Sequence, residues 1–352
     1  MMALAQRGTS GPRALTRGTA DRRAGRRRPA DRGTISRGAD RLGPGARVRR
    51  PPRWSGLGAP FLLLHIAVLG VVFVGWSWAA LVVGALSYAV RAFGITAFYH
   101  RCFAHRSFRV PRGVQLAGAV LGAAAAQRGP LWWVSHHREH HRYTDRPGDP
   151  HSPVVDGFWY SHVLWIFDPD NAATDVTRVQ DLARFPELRL LDRFEHVVPM
   201  VTALASFALG AVLSHVAPGL GTSGLQMVMW GFVIPTIALY HSTFAVNSLA
   251  HRFGRRRFDT PDASRNNWLI AALVLGEGWH NNHHRFPNCA RQGIGRFELD
   301  PTWWGIRALA ALGLASDLRR PPTSATSDWK AQNLSSAIVS TARTNSSPRF
   351  PV

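Results

Sequence analysis

With 352 residues the chain has room for one large or two ordinary domains, and its 46% hydrophobic residues concentrate between about residues 60 and 249, between polar ends rich in Arg, Ser, Thr and Pro. A net charge of +21 would mark a nucleic-acid-binding fold if it covered a folded surface. Much of it gathers instead before residue 54, where Asp21, Asp31 and Asp40 are the only acids, so no specific nucleic-acid partner is expected.

In chain order, the arginine-rich segment 1–55 cannot bury a core and is expected to be a disordered cytoplasmic tail. It lacks the apolar stretch of a signal peptide. Residues 58–77 and 79–99 then read as two membrane spans, since each is close to the roughly 20 apolar residues a spanning helix needs. Arg91 is the only charge in this tract and is expected to snorkel to the polar end. Residues 114–133, Ala- and Gly-rich but interrupted by Gln127, Arg128, Gly129 and Pro130, read as a helix half sunk in the membrane or buried against protein.

A polar stretch from 136 to about 195 must lie outside the hydrocarbon, and spans are expected again at about 197–216 and 225–249. Beyond them the chain is polar except for 268–275 and 303–314, which suit packed helices, and 321–352 reads as a second disordered tail. The expected architecture is all-α: a multi-pass membrane domain over 56–320 with four transmembrane helices in two hairpins under a cytoplasmic helical cap that holds a dimetal site. Four crossings place both termini on one side, and the arginine excess makes that side cytoplasmic at the cell membrane. Cys102 and Cys289 then lie in a reducing compartment and are expected to be free thiols.

Nine of the 16 histidines fall into four groups, all on the proposed cytoplasmic side: His100 and His105; His137, His140 and His141; His251; and His280, His283 and His284. Residues i, i+3 and i+4 share one helix face, so each triplet points one way and can reach two adjacent metals. His100 and His105, five apart, do not share a face on a regular α-helix, so the helix is expected to end or unwind between them. Neutral imidazoles in this density point to a transition metal, and nine ligands exceed the needs of one ion. The isolated His65, His151, His162, His196, His215 and His241 are read as non-ligands, and His136 matches no ligand spacing.

These histidine groups, together with Gly94-Ile-Thr, Asn247-Ser248-Leu-Ala-His251, Gly276-Glu-Gly-Trp-His280 and Asp149-Pro-His151, resemble the membrane fatty acyl desaturases of the stearoyl-CoA delta-9 type over roughly residues 94–319. The resemblance implies two Fe2+ ions held by the nine histidines, Asn247 binding a metal through water, and dioxygen as co-substrate. The assignment of each histidine to each iron stays open. Where animal relatives have Arg-Asp before the second group, this chain has Ser135-His136, so the substrate is expected to be a long-chain acyl-CoA or an acyl lipid. No haem domain is fused, so a separate ferredoxin- or rubredoxin-like donor with its reductase is the expected electron source. Zinc is expected to occupy the site in overexpressed protein.

A methylene has no acidic proton or leaving group, so side chains alone cannot oxidise it and a cofactor must. A membrane hydroxylase with the same oxidant is the nearest rival, to be separated by product analysis. A carboxylate-bridged di-iron enzyme needs Glu-x-x-His on two helices, and only Glu277 to His280 fits. A metal transporter would place its ligands near the bilayer midplane, whereas these histidines stand at or beyond span ends. For the acyl chain, Tyr88 lies twelve residues before His100, about 18 Å along a helix, and is expected to close a substrate tunnel with room beyond it at Gly84.

Overall fold

The computed structural model describes residues 58–325. The expected tails 1–55 and, after residue 325, 321–352 therefore lie outside the described residues. Among those described there is no strand, only isolated bridges such as Arg109 with Ser316.

The first apolar segment forms α1 (Ala59–Val74). Its 16 residues reach about 24 Å, short of the roughly 30 Å hydrocarbon core. The sequence predicts a span to 77; the helix stops earlier because Gly75 takes a positive φ of 62° and turns the chain. The hydroxyl of Ser77 then accepts the Ala80 N–H at 3.1 Å and caps the next helix, α2 (Trp78–Ala104). Two more helices match α2 in being long and apolar enough to cross a membrane, α7 (Val197–Val216) and α8 (Gly224–His251).

Between them the chain forms α3 (Arg112–Ala123), α4 (Pro130–Tyr143), α5 (Phe158–His162) and α6 (Pro186–Arg193). After α8 come α9 (Trp268–Leu273), α10 (His280–Arg285) and α11 (Pro301–Ala311). The core joins the end of α2 to this polar half: Ile95, Phe98, Tyr99 and Phe103 are buried with Leu131 and Val134 of α4, Leu188 of α6 and Ile306 of α11.

α2 and α8 cross with backbones in close approach. A Cβ on Gly84 would meet the Trp230 carbonyl oxygen at 2.6 Å, so the space expected beyond Tyr88 is filled by α8 itself. One turn on, Ser87 donates to the Gly231 carbonyl at 2.6 Å. Arg91 does not snorkel. It is buried, donating through Nη1 to Thr236 Oγ1 at 2.6 Å, and its guanidinium lies 5.5 Å from the Phe232 ring centroid. A long side chain reaches water only if no nearer acceptor exists, and here the facing helix provides one. At Gly94 a Cβ would strike the backbone of Leu121 and Gly122, so this glycine lets α2 lie directly on α3 as it enters the site.

Candidate metal centre

Four elements bring the clustered histidines together. The last eleven residues of α2, Gly94–Ala104, form a π-helix. Its i→i+5 bonds, such as His105 N–H to the His100 carbonyl at 3.1 Å, set residues five apart on one face. The sequence predicts an end or unwinding between these histidines, and both occur: the helix widens from Gly94 and stops at Ala104, with His105 at its C-cap. On α4, Pro130 suits the first turn, and Asp192 accepts the Leu131 and Trp132 N–H groups at 2.9 Å each, closing the helix start. His251 ends α8. Before α10, Gly276 takes a φ of 110°, and Gly278 packs on the Ala271 backbone with no room for a Cβ.

The nine rings divide into two sets. His100, His105, His137, His141 and His283 form one, and His140, His251, His280 and His284 the other, with the ligand nitrogens of each set within 4.8 Å of one another. Each triplet splits between the sets, as the i, i+3, i+4 spacing allows. In the first set His105 and His137 face Nε2 to Nε2 at 2.7 Å, and His283 Nε2 faces both His100 at 3.2 Å and His141 at 2.9 Å. In the second, His280 Nε2 stands 3.0 Å from His251 and 3.1 Å from His284.

The outer nitrogens explain the orientation. His100 Nδ1 meets Glu277 at 2.5 Å, His140 Nδ1 meets Asp149 at 3.0 Å, His251 Nδ1 meets Asp145 at 2.9 Å and His284 Nδ1 meets Asp262 at 3.1 Å. A carboxylate only accepts, so these four rings carry their proton on Nδ1 and turn the Nε2 lone pair inward. Burial lowers the pKa of His105, His137, His141, His280 and His283 well below the usual imidazole value, and the neighbouring rings add to it.

His284 falls to about 4, burial outweighing the hydrogen bond to Asp262. His140 goes the other way: burial opposes its charge, but Asp149, Asp145 and Asp262 together raise it. Burial works against the charge of Asp145 too, yet the bond from His251 brings its carboxyl down to about 2. Imidazole nitrogens converging in each set, with no carboxylate in either the five- or the four-ring set, fit two transition-metal ions and not calcium or magnesium.

Of these carboxylates, Asp149 and Glu277 fall within the motifs Asp149-Pro-His151 and Gly276-Glu-Gly-Trp-His280, whereas Asp145 and Asp262 belong to no motif. His151 stacks on His140 with centroids 4.5 Å apart and is close to Asp149, so it supports the cage from outside.

A cavity of about 490 Å³ adjoins the rings. Its wall includes His136, His137, His151 and Asn247 at one part and Trp132, Tyr240, Phe232, Met200 and Leu63 elsewhere. Asn247 thus borders the chamber with His137. Tyr88 is not in this wall; its hydroxyl bonds Ser242 Oγ at 2.9 Å and donates to the Leu273 carbonyl at 2.7 Å, tying α2 to α8 and α9. His136 donates through Nδ1 to the Trp132 carbonyl at 2.9 Å.

Away from the cage, three of the isolated histidines meet in a row. His65 Nε2 is 3.0 Å from His241 Nε2, His241 Nδ1 is 3.2 Å from His162 Nε2, and His162 Nδ1 is 2.9 Å from Ser248 Oγ.

Comparison with known proteins follows the same lines. The profile of the family described as fatty acid desaturase matches residues 76–316. The chain is 40% identical over 264 residues to Acyl-CoA 5-desaturase AL21 of Anemone leveillei, covering 73% of this chain and 77% of that protein. It is 40% identical over 267 residues to the sn-2 palmitoyl-lipid 9-desaturase of Nostoc sp. (strain 36), covering 74% and 88%. It is 38% identical over 262 residues to the sn-1 stearoyl-lipid 9-desaturase of Anabaena variabilis, covering 74% and 91%.

Proposed function

The chain belongs to the fatty acid desaturase family, an oxidoreductase family of lipid metabolism, and we propose that it introduces a cis double bond at the delta-9 position of a long acyl chain, using dioxygen and two iron ions held by its nine clustered histidines. The observation that carries this reading is the junction of two buried imidazole sets with an apolar chamber walled in part by His137. When bound, two ferrous ions would activate dioxygen, the oxidant in this reading, which no side chain can do. The nine rings would hold the metals, and Asp145, Asp149, Asp262 and Glu277 fix ring direction through Nδ1. The aromatic wall of Trp132, Tyr240 and Phe244 holds the chain extended and keeps water from it. Asn247 positions water at the chamber's polar end.

The delta-9 position rests on the Nostoc and Anabaena relatives, which are named 9-desaturases, whereas the Anemone protein is named a 5-desaturase. An acyl lipid is favoured over acyl-CoA because the chamber wall includes Leu63 and Met200, exposed apolar side chains of α1 and α7, which gives chains a way in from the bilayer. α1 completes a fourth crossing in this reading, with the cage on the cytoplasmic side. Exposed Arg252, Arg255 and Arg256 beside His251 would steer an acidic one-electron donor of ferredoxin or rubredoxin type.

The test is expression in a host that cannot make unsaturated fatty acids, followed by analysis of its lipids for double-bond position and carrier. A cis-9 product on membrane lipids is expected. A hydroxylated product, or none in cells whose purified protein carries iron, would sink the reading.

A further inference from the structure

The two imidazole sets differ in what stands behind them. Behind the four-ring set are three carboxylates, Asp145 on His251, Asp149 on His140 and Asp262 on His284, at 2.9 to 3.1 Å. Each is also held by backbone N–H groups: Asp145 by Ala263 at 2.8 Å, Asp149 by Asp145 at 2.9 Å and Asp262 by Ser264 at 2.9 Å. Behind the five-ring set, among the described residues, Glu277 is the one carboxylate on a ring, and it shares its charge with the buried Arg101, whose Nη2 lies 3.0 Å from Oε1. One ring in each set, His283 of the five and His280 of the four, has an Nδ1 without a hydrogen-bond partner, so the sets differ in their carboxylates and not in this.

We propose that the four-ring position fills first and releases its metal last, that the five-ring position is the exchangeable one, and that Asp145, Asp149 and Asp262 set this order. The inference rests on reading the cage as a dimetal site and concerns how that site loads. Three negative charges one ring away lower the energy of a divalent cation, and each accepted Nδ1–H makes the opposite nitrogen a better donor. Such an outer partner is worth about 10- to 100-fold in affinity. Two more of them on the four-ring side outweigh the one extra imidazole on the other. The sets adjoin, with the His141 and His284 centroids 4.7 Å apart, so the first ion repels the second and widens the gap.

The experiment strips metal from the purified full-length protein with a chelator and titrates it with Co2+, following the visible spectrum and bound metal. Wild type should show two phases at least tenfold apart in affinity. His251→Gln should remove the tight phase and His105→Gln the weak one. Asp262→Asn and Asp145→Asn, which keep shape and lose charge, should weaken the tight phase 10- to 100-fold and leave the weak phase in place, while Asp262→Glu restores most of the affinity. Two phases of equal affinity, or Asp variants that weaken the His105-dependent phase instead, overturn the order. Absence of any Co2+ binding by folded wild type removes the dimetal reading itself, a separate outcome.

Discussion

The cage and the row formed by His65, His241 and His162 are built from the same side chain, yet they use it in opposite ways. In the cage the rings meet Nε2 to Nε2, and several outer nitrogens rest on carboxylates. In the row they are joined in series: His241 spends Nε2 on His65 and Nδ1 on His162, and the ends stop at the Phe61 carbonyl and the Ser248 hydroxyl. In the row the ring nitrogens face one neighbour each along a line, whereas in the cage the Nε2 atoms face a common centre. What distinguishes a ligand histidine is therefore less its company than the anchoring of the nitrogen facing away from the centre.

The largest test of this contrast sets His283→Ala beside His241→Ala. The first should abolish turnover and lower bound metal, because a ring of the cage is lost. The second should keep full metal content and measurable activity, losing only about 1 kcal/mol of stability per hydrogen bond removed. Metal analysis with product assay decides it, and equal metal loss in both variants would erase the distinction.

The next effect is on pH. Five cage rings and His284 have pKa values below their unfolded value near 6.5, so the unfolded chain binds protons that the metal-free fold refuses. Stability of the metal-free protein should fall as pH drops below about 6.5, and for His284 the loss runs down to about 4. His140, raised in the fold, works in the opposite sense and offsets part of this. A metal-free melting temperature that rises on acidification from 7 to 5 would contradict the neutral cage.

The smallest effect concerns Tyr88. Because its hydroxyl is tied to Ser242 and Leu273, Tyr88→Phe should cost about 1–3 kcal/mol and leave chain-length preference unchanged, whereas Phe232→Ala in the chamber wall should extend it toward longer chains. A shifted acyl profile for Tyr88→Phe would return that residue to the tunnel.

The cage was legible in the sequence because its triplets obey local helix spacing. Its division into five and four was not, since it depends on how α2, α4, α8 and α10 meet. Asp145 and Asp262 gave no signal, because an acid in a polar loop has no periodicity, and its partner is 106 residues away for Asp145 and 22 for Asp262. The snorkelling of Arg91 and the space at Gly84 fail for one reason: each residue faces α8, and nothing local announces a helix 140 or more residues later in the chain.

The π-helix from Gly94 to Ala104 has a consequence for how the chain tolerates change. Removing one residue inside it would relax the segment toward an α-helix, and the hydropathy profile would hardly register the loss. Everything on one side of the gap would nevertheless swing about 100° around the axis relative to the other. Gly94 could then meet α3, or His100 and His105 could meet the other rings, but not both. Between these points the count of residues is itself inherited information, and a sequence alignment that opens a gap there is describing a different protein.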